Sequence, residues 1–144
     1  IELEKKAKKI NIYFHKYGWK ARQVSCSQIL SGWSSDLRYY SLETNISQCF
    51  IELKVCLLDL KKLGSHYTTD FSWFISQYNS SIHSAKLSTD KDLQLFLIAD
   101  LLLPCLNYSQ FEMTLGLIGV WSDQVYQDIF SFLSKQQSYP PLIL

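Results

Sequence analysis

Asp100 is the first residue of this chain that asks for a chemical explanation. It sits inside Leu93 to Leu106 (LQLFLIADLLLPCL), a run otherwise interrupted only by Gln94 and Pro104. A carboxyl group held in apolar surroundings keeps its proton to higher pH and can serve as a general acid or a ligand. General acid–base work needs a second positioned group, and none is visible near Asp100. It is therefore read as lying on the polar edge of its element, meeting solvent or a lysine.

The other groups that could do chemistry do not assemble either. His15, His66 and His83 fall in different segments, with no His-x-x-x-His or His-Glu-x-x-His spacing to put two on one helix face. Cys26, Cys49, Cys56 and Cys105 form no Cys-x-x-Cys pair and no zinc-like cluster with histidine. There is no nucleophile elbow, phosphate loop or dinucleotide fingerprint. The chain is accordingly read as a non-enzyme with no metal site and no cofactor.

Binding chemistry is better represented. Residues 1–22 hold Lys5, Lys6, Lys8, Lys9, Lys16, Lys20 and Arg22 against Glu2 and Glu4, a net +5, while the remaining seven basic and eleven acidic side chains give −4. With Tyr13, His15, Tyr17 and Trp19 interleaved, this segment could contact an acidic partner, or the phosphates and bases of a nucleic acid. Trp19, Trp33, Trp73 and Trp121 lie near expected helix ends or on polar helix sides. Tryptophan is a common interface anchor, so these four are the partner-binding candidates. Trp73 stands out because the Phe71/Phe74/Ile75/Tyr78 stripe leaves it facing outward.

Three of the four asparagines begin glycosylation sequons: Asn45-Ile-Ser, Asn79-Ser-Ser and Asn107-Tyr-Ser. With four cysteines they support an alternative reading as a secreted, four-helix cytokine-like protein with glycans and disulfides. Against it, Asn79 falls mid-helix beside an apolar stripe. Cys49 and Cys56, seven apart, share the apolar face of one expected helix at a separation of about 10 Å, too far to bridge each other.

The elements expected to carry these groups are helices. The apolar positions Leu3, Ala7, Ile10, Phe14 and Tyr17 predict a helix over Glu2–Tyr17, stopped by Gly18. Further helices are expected over Trp19–Leu30, over Asn45–Leu63 with Gly64 as cap, and from Thr69 or Asp70 to Ala85. Thr89 and Asp92 open a central helix through the Leu93–Leu106 run, which Pro104 kinks or ends. Ser109 and Glu112 open another, closing near Val120, and Ser122 starts the last. At fourteen residues the central run is too short to cross a bilayer, so no membrane span is expected.

Residues 1–144 are thus expected to form a single all-α domain of six or seven helices, either a bundle or an irregular helix-pair, repeat-like array. Its expected core is Phe50, Leu53, Leu57, Leu60, Phe96, Leu97, Leu101 and Leu102, and residues 138–144 form an extended hydrophobic tail. The expected function is a scaffold or adaptor module of a larger intracellular protein, in the cytoplasm or nucleus, binding a protein partner through an exposed aromatic patch. A nucleic-acid-binding helical module is the alternative.

Overall fold

A computed structural model describes residues 2–63 and 68–138. Gly64 and His66, and residues 139–144 of the expected tail, lie outside the described residues. Period-two alternation organises the middle of the chain. In Phe50–Asp59 (β4), Ile51, Leu53, Val55 and Leu57 are buried while Glu52, Lys54 and Cys56 point the other way. Gln94–Leu102 (β6) repeats the pattern, with Leu95, Leu97 and Ala99 opposite in sense to Phe96, Ile98 and Asp100. Such alternation puts one apolar face on each strand.

Ala21–Ser25 (β1), Gln28–Ser34 (β2), Tyr39–Ile46 (β3) and Lys86–Thr89 (β5) complete an antiparallel sheet of order β1-β2-β3-β4-β6-β5. A register row such as Leu42↔Val55↔Leu97↔Leu87 lies wholly on the buried side. The three α-helices among the described residues are Glu2–Tyr17 (α1), Thr68–Ser81 (α2) and Tyr108–Ser138 (α3), and all pack on that side. Phe14 of α1 meets Phe111 of α3 edge-on with centroids 5.0 Å apart, and Phe74 of α2 meets Phe132 of α3 at 4.8 Å.

This α+β architecture corrects the expectation of an all-α domain, as bundle or helix-pair array. The Leu93–Leu106 run is β6 followed by a turn, Asn45–Leu63 is the end of β3, all of β4 and a 3-10 turn, and Trp19–Leu30 is the β1–β2 hairpin. The physical reason is that a nearly continuous apolar run satisfies both periodicities. Ile46, Cys49, Phe50 and Leu53 fit a helical stripe as well as Ile51, Leu53, Val55 and Leu57 fit a strand. Pairing with β6, some forty positions along the chain, settles the competition in favour of the strand. The expected core is corrected with it. Leu53, Leu57 and Leu97 are buried, but Phe50 and Leu102 are 49% and 63% exposed and Phe96 lies on the opposite face. Cys49 and Cys56 likewise occupy a turn and a strand rather than one helix face.

Helix ends are corrected too. α1 has its expected span and closes on Gly18 at φ 98°, with Gly18 N–H donating to the His15 carbonyl and Trp19 N–H to that of Phe14. The two helices expected on either side of Ser122 are one helix, and Ser122 is buried within it instead of capping. Its reciprocal cap is Asn107 with Gln110, not Ser109 with Glu112: Gln110 N–H donates to Asn107 Oδ1 at 2.9 Å and Asn107 N–H to Gln110 Oε1 at 3.1 Å. The Thr89–Asp92 segment belongs to the β5–β6 turn, where Asp90 Oδ1 accepts from the N–H groups of Asp92 and Gln94.

Candidate functional site

Among the described residues every α-helix lies on one side, and none covers the opposite face of the sheet. Its side chains follow from the register. One row runs Arg22–Leu30–Glu43–Lys54–Ile98–Lys86 across β1, β2, β3, β4, β6 and β5. Two residues along the strands on one side lie Cys56 and Phe96, and on the other Glu52 and Asp100, then Phe50 and Leu102. Leu30, Phe96 and Ile98 are half-buried by neighbours on their own face.

The face is shaped as well as open. From the α1–β1 connection across β2, β3 and β4 to β6 runs a trough of about 810 Å³, lined among others by Trp19, Lys20, Arg22, Leu30, Trp33 and Phe96. The Tyr39 ring, 56% exposed, lies over Gly32, where a Cβ would collide with the ring and with the Tyr40 carbonyl. A bare glycine backbone thus seats an aromatic ring on the outer face of the sheet. Lys54 turns its Nζ to within 4.2 Å of the Phe96 centroid, while its cross-strand neighbour Glu43 accepts from Asn45 Nδ2 at 2.8 Å. Burial pushes the Cys56 thiol up from its ordinary range against the opposing pull of Arg38, and the side chain lines the trough.

The far end of the face is acidic. Glu52 and Asp100 are direct cross-strand partners and border a smaller hollow of about 340 Å³ with Asn45 and Phe50. Asp100 is exposed on this face, so it is not a buried acid. Among the described residues no group of three or more His, Cys, Asp or Glu side chains is placed to hold a metal. Nor is any helix among them long and apolar enough to cross a membrane.

The expected binding residues are dispersed. Trp19 and Trp33 stack on each other at 4.6 Å and 4°, on the helix side, and Trp33 stacks in turn on buried Tyr40. Both are half-buried, and together with Lys20 and Arg22 they also line the trough, from the α1–β1 connection and from β2. Trp121 is half-buried and meets Tyr78 edge-on at 6.5 Å, whereas Trp73 projects from α2 with 67% exposure. Of the lysine set, Lys6 Nζ donates to the Gln48 carbonyl, Lys9 Nζ to that of Leu106, and Lys16 lies 4.3 Å from the Tyr108 centroid. Lys5 and Lys8 are exposed on α1, while Lys20 and Arg22 belong to the trough. The aromatics interleaved with these lysines turn inward: Tyr13 packs on Tyr108 and Phe111, and Tyr17 on Trp19. The open face itself was missed. The signal that could have found it is the alternation Ile-Glu-Leu-Lys-Val-Cys-Leu over residues 51–57.

The sequons are mostly engaged. Asn79 bonds the Leu87 backbone with both ends of its amide, at 2.7 and 2.9 Å, and Asn45 Nδ2 donates to Glu43 and Glu52. The six-stranded sheet removes the four-helix cytokine-like alternative.

The chain matches no protein-family model, and no curated protein matches it in sequence. Among solved structures its fold is similar to a chain from the crystal structure of the ExsC-ExsE complex, with a TM-score of 0.59 and 13% identity over 83% of this chain and 92% of that one. The likeness is one of fold, and it agrees with the α+β architecture.

Proposed function

We propose that this chain is a non-catalytic protein-binding domain whose partner covers the open face of the sheet. The observation that carries the reading is the set of large apolar side chains left among the charged ones on that face. Leu30, Phe96 and Ile98 are half-buried, and Tyr39, Phe50 and Leu102 are exposed, around a trough lined in part by Lys20 and Arg22. Sheets normally bury both apolar faces or keep the outer one polar, and a face of this composition is characteristic of an interface. The similar fold in the ExsC-ExsE complex belongs to a structure of one protein with another, which supports the same class of function.

In this reading the domain is an intracellular adaptor or scaffold. Support for that setting comes from Asn45, whose Nδ2 donates to both Glu43 and Glu52, so that a glycan there would displace one of these bonds. Lys20 and Arg22 raise the rate of encounter with an acidic partner, an effect that weakens with salt.

The test is affinity capture with the wild-type chain beside Leu30→Glu, Phe96→Glu and Trp73→Ala, followed by titration of the purified captured protein against each. Loss of affinity with the two sheet variants and retention with Trp73→Ala is expected. The opposite pattern would move the interface to α2. Retention in all three variants would remove both surfaces.

A further inference from the structure

The occupant of the open face can be specified further, and this step rests on the docking reading just given. At Leu30, Phe96 and Ile98 the strands are paired on both sides, so the backbone N–H and C=O groups there are consumed within the sheet. An extended segment laid over Leu30, Phe96 and Ile98 would find no backbone partners there and would bury its own peptide groups unsatisfied. A helix satisfies its backbone internally and adds the layer that a one-sided sheet lacks. We infer that the open face takes one amphipathic α-helix from a partner protein, lying along β4 and β6.

The register sets the length and charge of that helix. Its two apolar footholds are Phe50 with Leu102 at one end and Phe96 with Ile98 at the other. Six residues of strand separate Phe50 from Cys56, about 20 Å, which an α-helix spans in about 13 residues. Between the footholds, Glu52 and Asp100 stand directly opposite each other, an arrangement that like charges disfavour unless a cation joins them. One strand repeat further along β4, about 7 Å, comes Lys54 of the next row, directly opposite Ile98. The complementary helix therefore has an apolar stripe, a lysine or arginine over Glu52 and Asp100, and an acidic residue about one turn away over Lys54.

The probe is a labelled synthetic peptide of about 18 residues with leucines at alternating third and fourth positions and a lysine and a glutamate about one turn apart. Controls are the same composition with a central proline, and a peptide with glutamate in place of the lysine. The first peptide should bind with a gain of helicity by circular dichroism. Phe96→Glu, Ile98→Glu and Leu102→Glu should each weaken it about tenfold or more, as expected for losing a buried apolar contact, and Trp73→Ala should leave it unchanged. Glu52→Lys with Asp100→Lys should shift preference to the all-glutamate peptide. Far-UV spectra of the variants report that each is folded. Equal binding of the proline peptide would overturn the helix while leaving the docking face in place. Failure of the double lysine variant to change preference would overturn the charge assignment. Absence of binding, or binding indifferent to all three sheet variants, would overturn the docking reading itself.

Discussion

The Tyr40 hydroxyl donates to Asp123 Oδ1 at 2.7 Å, tying the start of β3 to the middle of α3. Ser35 Oγ donates to the same carboxylate oxygen at 2.8 Å, so a single acid on the long helix holds the whole β2–β3 hairpin. Arg38 lies over the Tyr40 and Tyr126 rings and donates Nη1–H to the Leu57 carbonyl, closing the cluster from the strand side. Tyr40 is fully buried. Removing its hydroxyl deletes a hydrogen bond to a charged group, so Tyr40→Phe should lower stability by about 1.5 to 3 kcal/mol. Asp123→Ala should cost more, because two hydroxyls then lose their acceptor. Urea unfolding at neutral pH, with unchanged slope, measures both; an effect of Tyr40→Phe within error of zero would remove the anchor.

Alkaline pH should weaken the fold through two tyrosines. Burial, and then the hydrogen bond to Asp123, raises Tyr40 well above the ordinary tyrosine range, and burial with Asp128 does the same for Tyr78. Tyr78 donates to Asp128 Oδ2 at 2.7 Å, linking α2 to α3. Because the folded state holds these protons more tightly, the stabilisation is complete below the unfolded value of about 10 and is lost progressively as pH climbs from there. Unfolding midpoints between neutral and strongly alkaline pH should fall, and the fall should flatten in the Tyr40→Phe, Tyr78→Phe double variant. A double variant with the same slope as wild type would assign the loss to other groups.

Asn79 acts as a polar clamp between α2 and β5. Its Oδ1 accepts from Leu87 N–H and its Nδ2 donates to the Leu87 carbonyl, supplying an edge strand with the bonds that a further strand would give. Asn79→Ala leaves both groups without partners and should destabilise by about 1 to 3 kcal/mol. Hydrogen exchange should locate the loss at β5, with amides of β2 and β3 changed only in proportion to global stability.

Gly32 is where the outer face tests its own packing. Gly32→Ala must displace the Tyr39 ring and strain against the Tyr40 carbonyl, so a loss of about 1 to 3 kcal/mol is expected. Tyr39→Ala in the same chain frees the ring's space but not the carbonyl's, so the double variant should recover only part of that loss. Full additivity of the two substitutions in thermal unfolding would show that the ring does not rest on the glycine.

Much of the local structure was legible. The α1 stripe ending at Gly18 needs only residues within one helix, and the outward position of Trp73 follows from the Phe71/Phe74/Ile75/Tyr78 spacing in the same way. The failure was concentrated where apolar residues are densest. Leu95 to Leu103 contains too few polar residues to mark a period, and leucine carries no strong preference for strand. Asp100 was the one marker inside that run; its exposure was legible, but the face on which it is exposed was not.

What the sequence determined by itself is therefore what neighbours a few positions apart can decide: the first helix, its glycine stop, the amphipathic face of α2, and the uneven charge that places a basic segment at residues 1–22. The tertiary structure alone decided the sheet, because β4 becomes a strand only when β3 and β6 supply its hydrogen bonds. It also decided that Trp19 and Trp33 stack on each other, that Arg22, Lys54, Glu52 and Asp100 share one surface, and that no described helix covers that surface. Side-chain alternation assigns each strand two faces, but which face is buried depends on where the helices pack, and that contact is made across the whole chain.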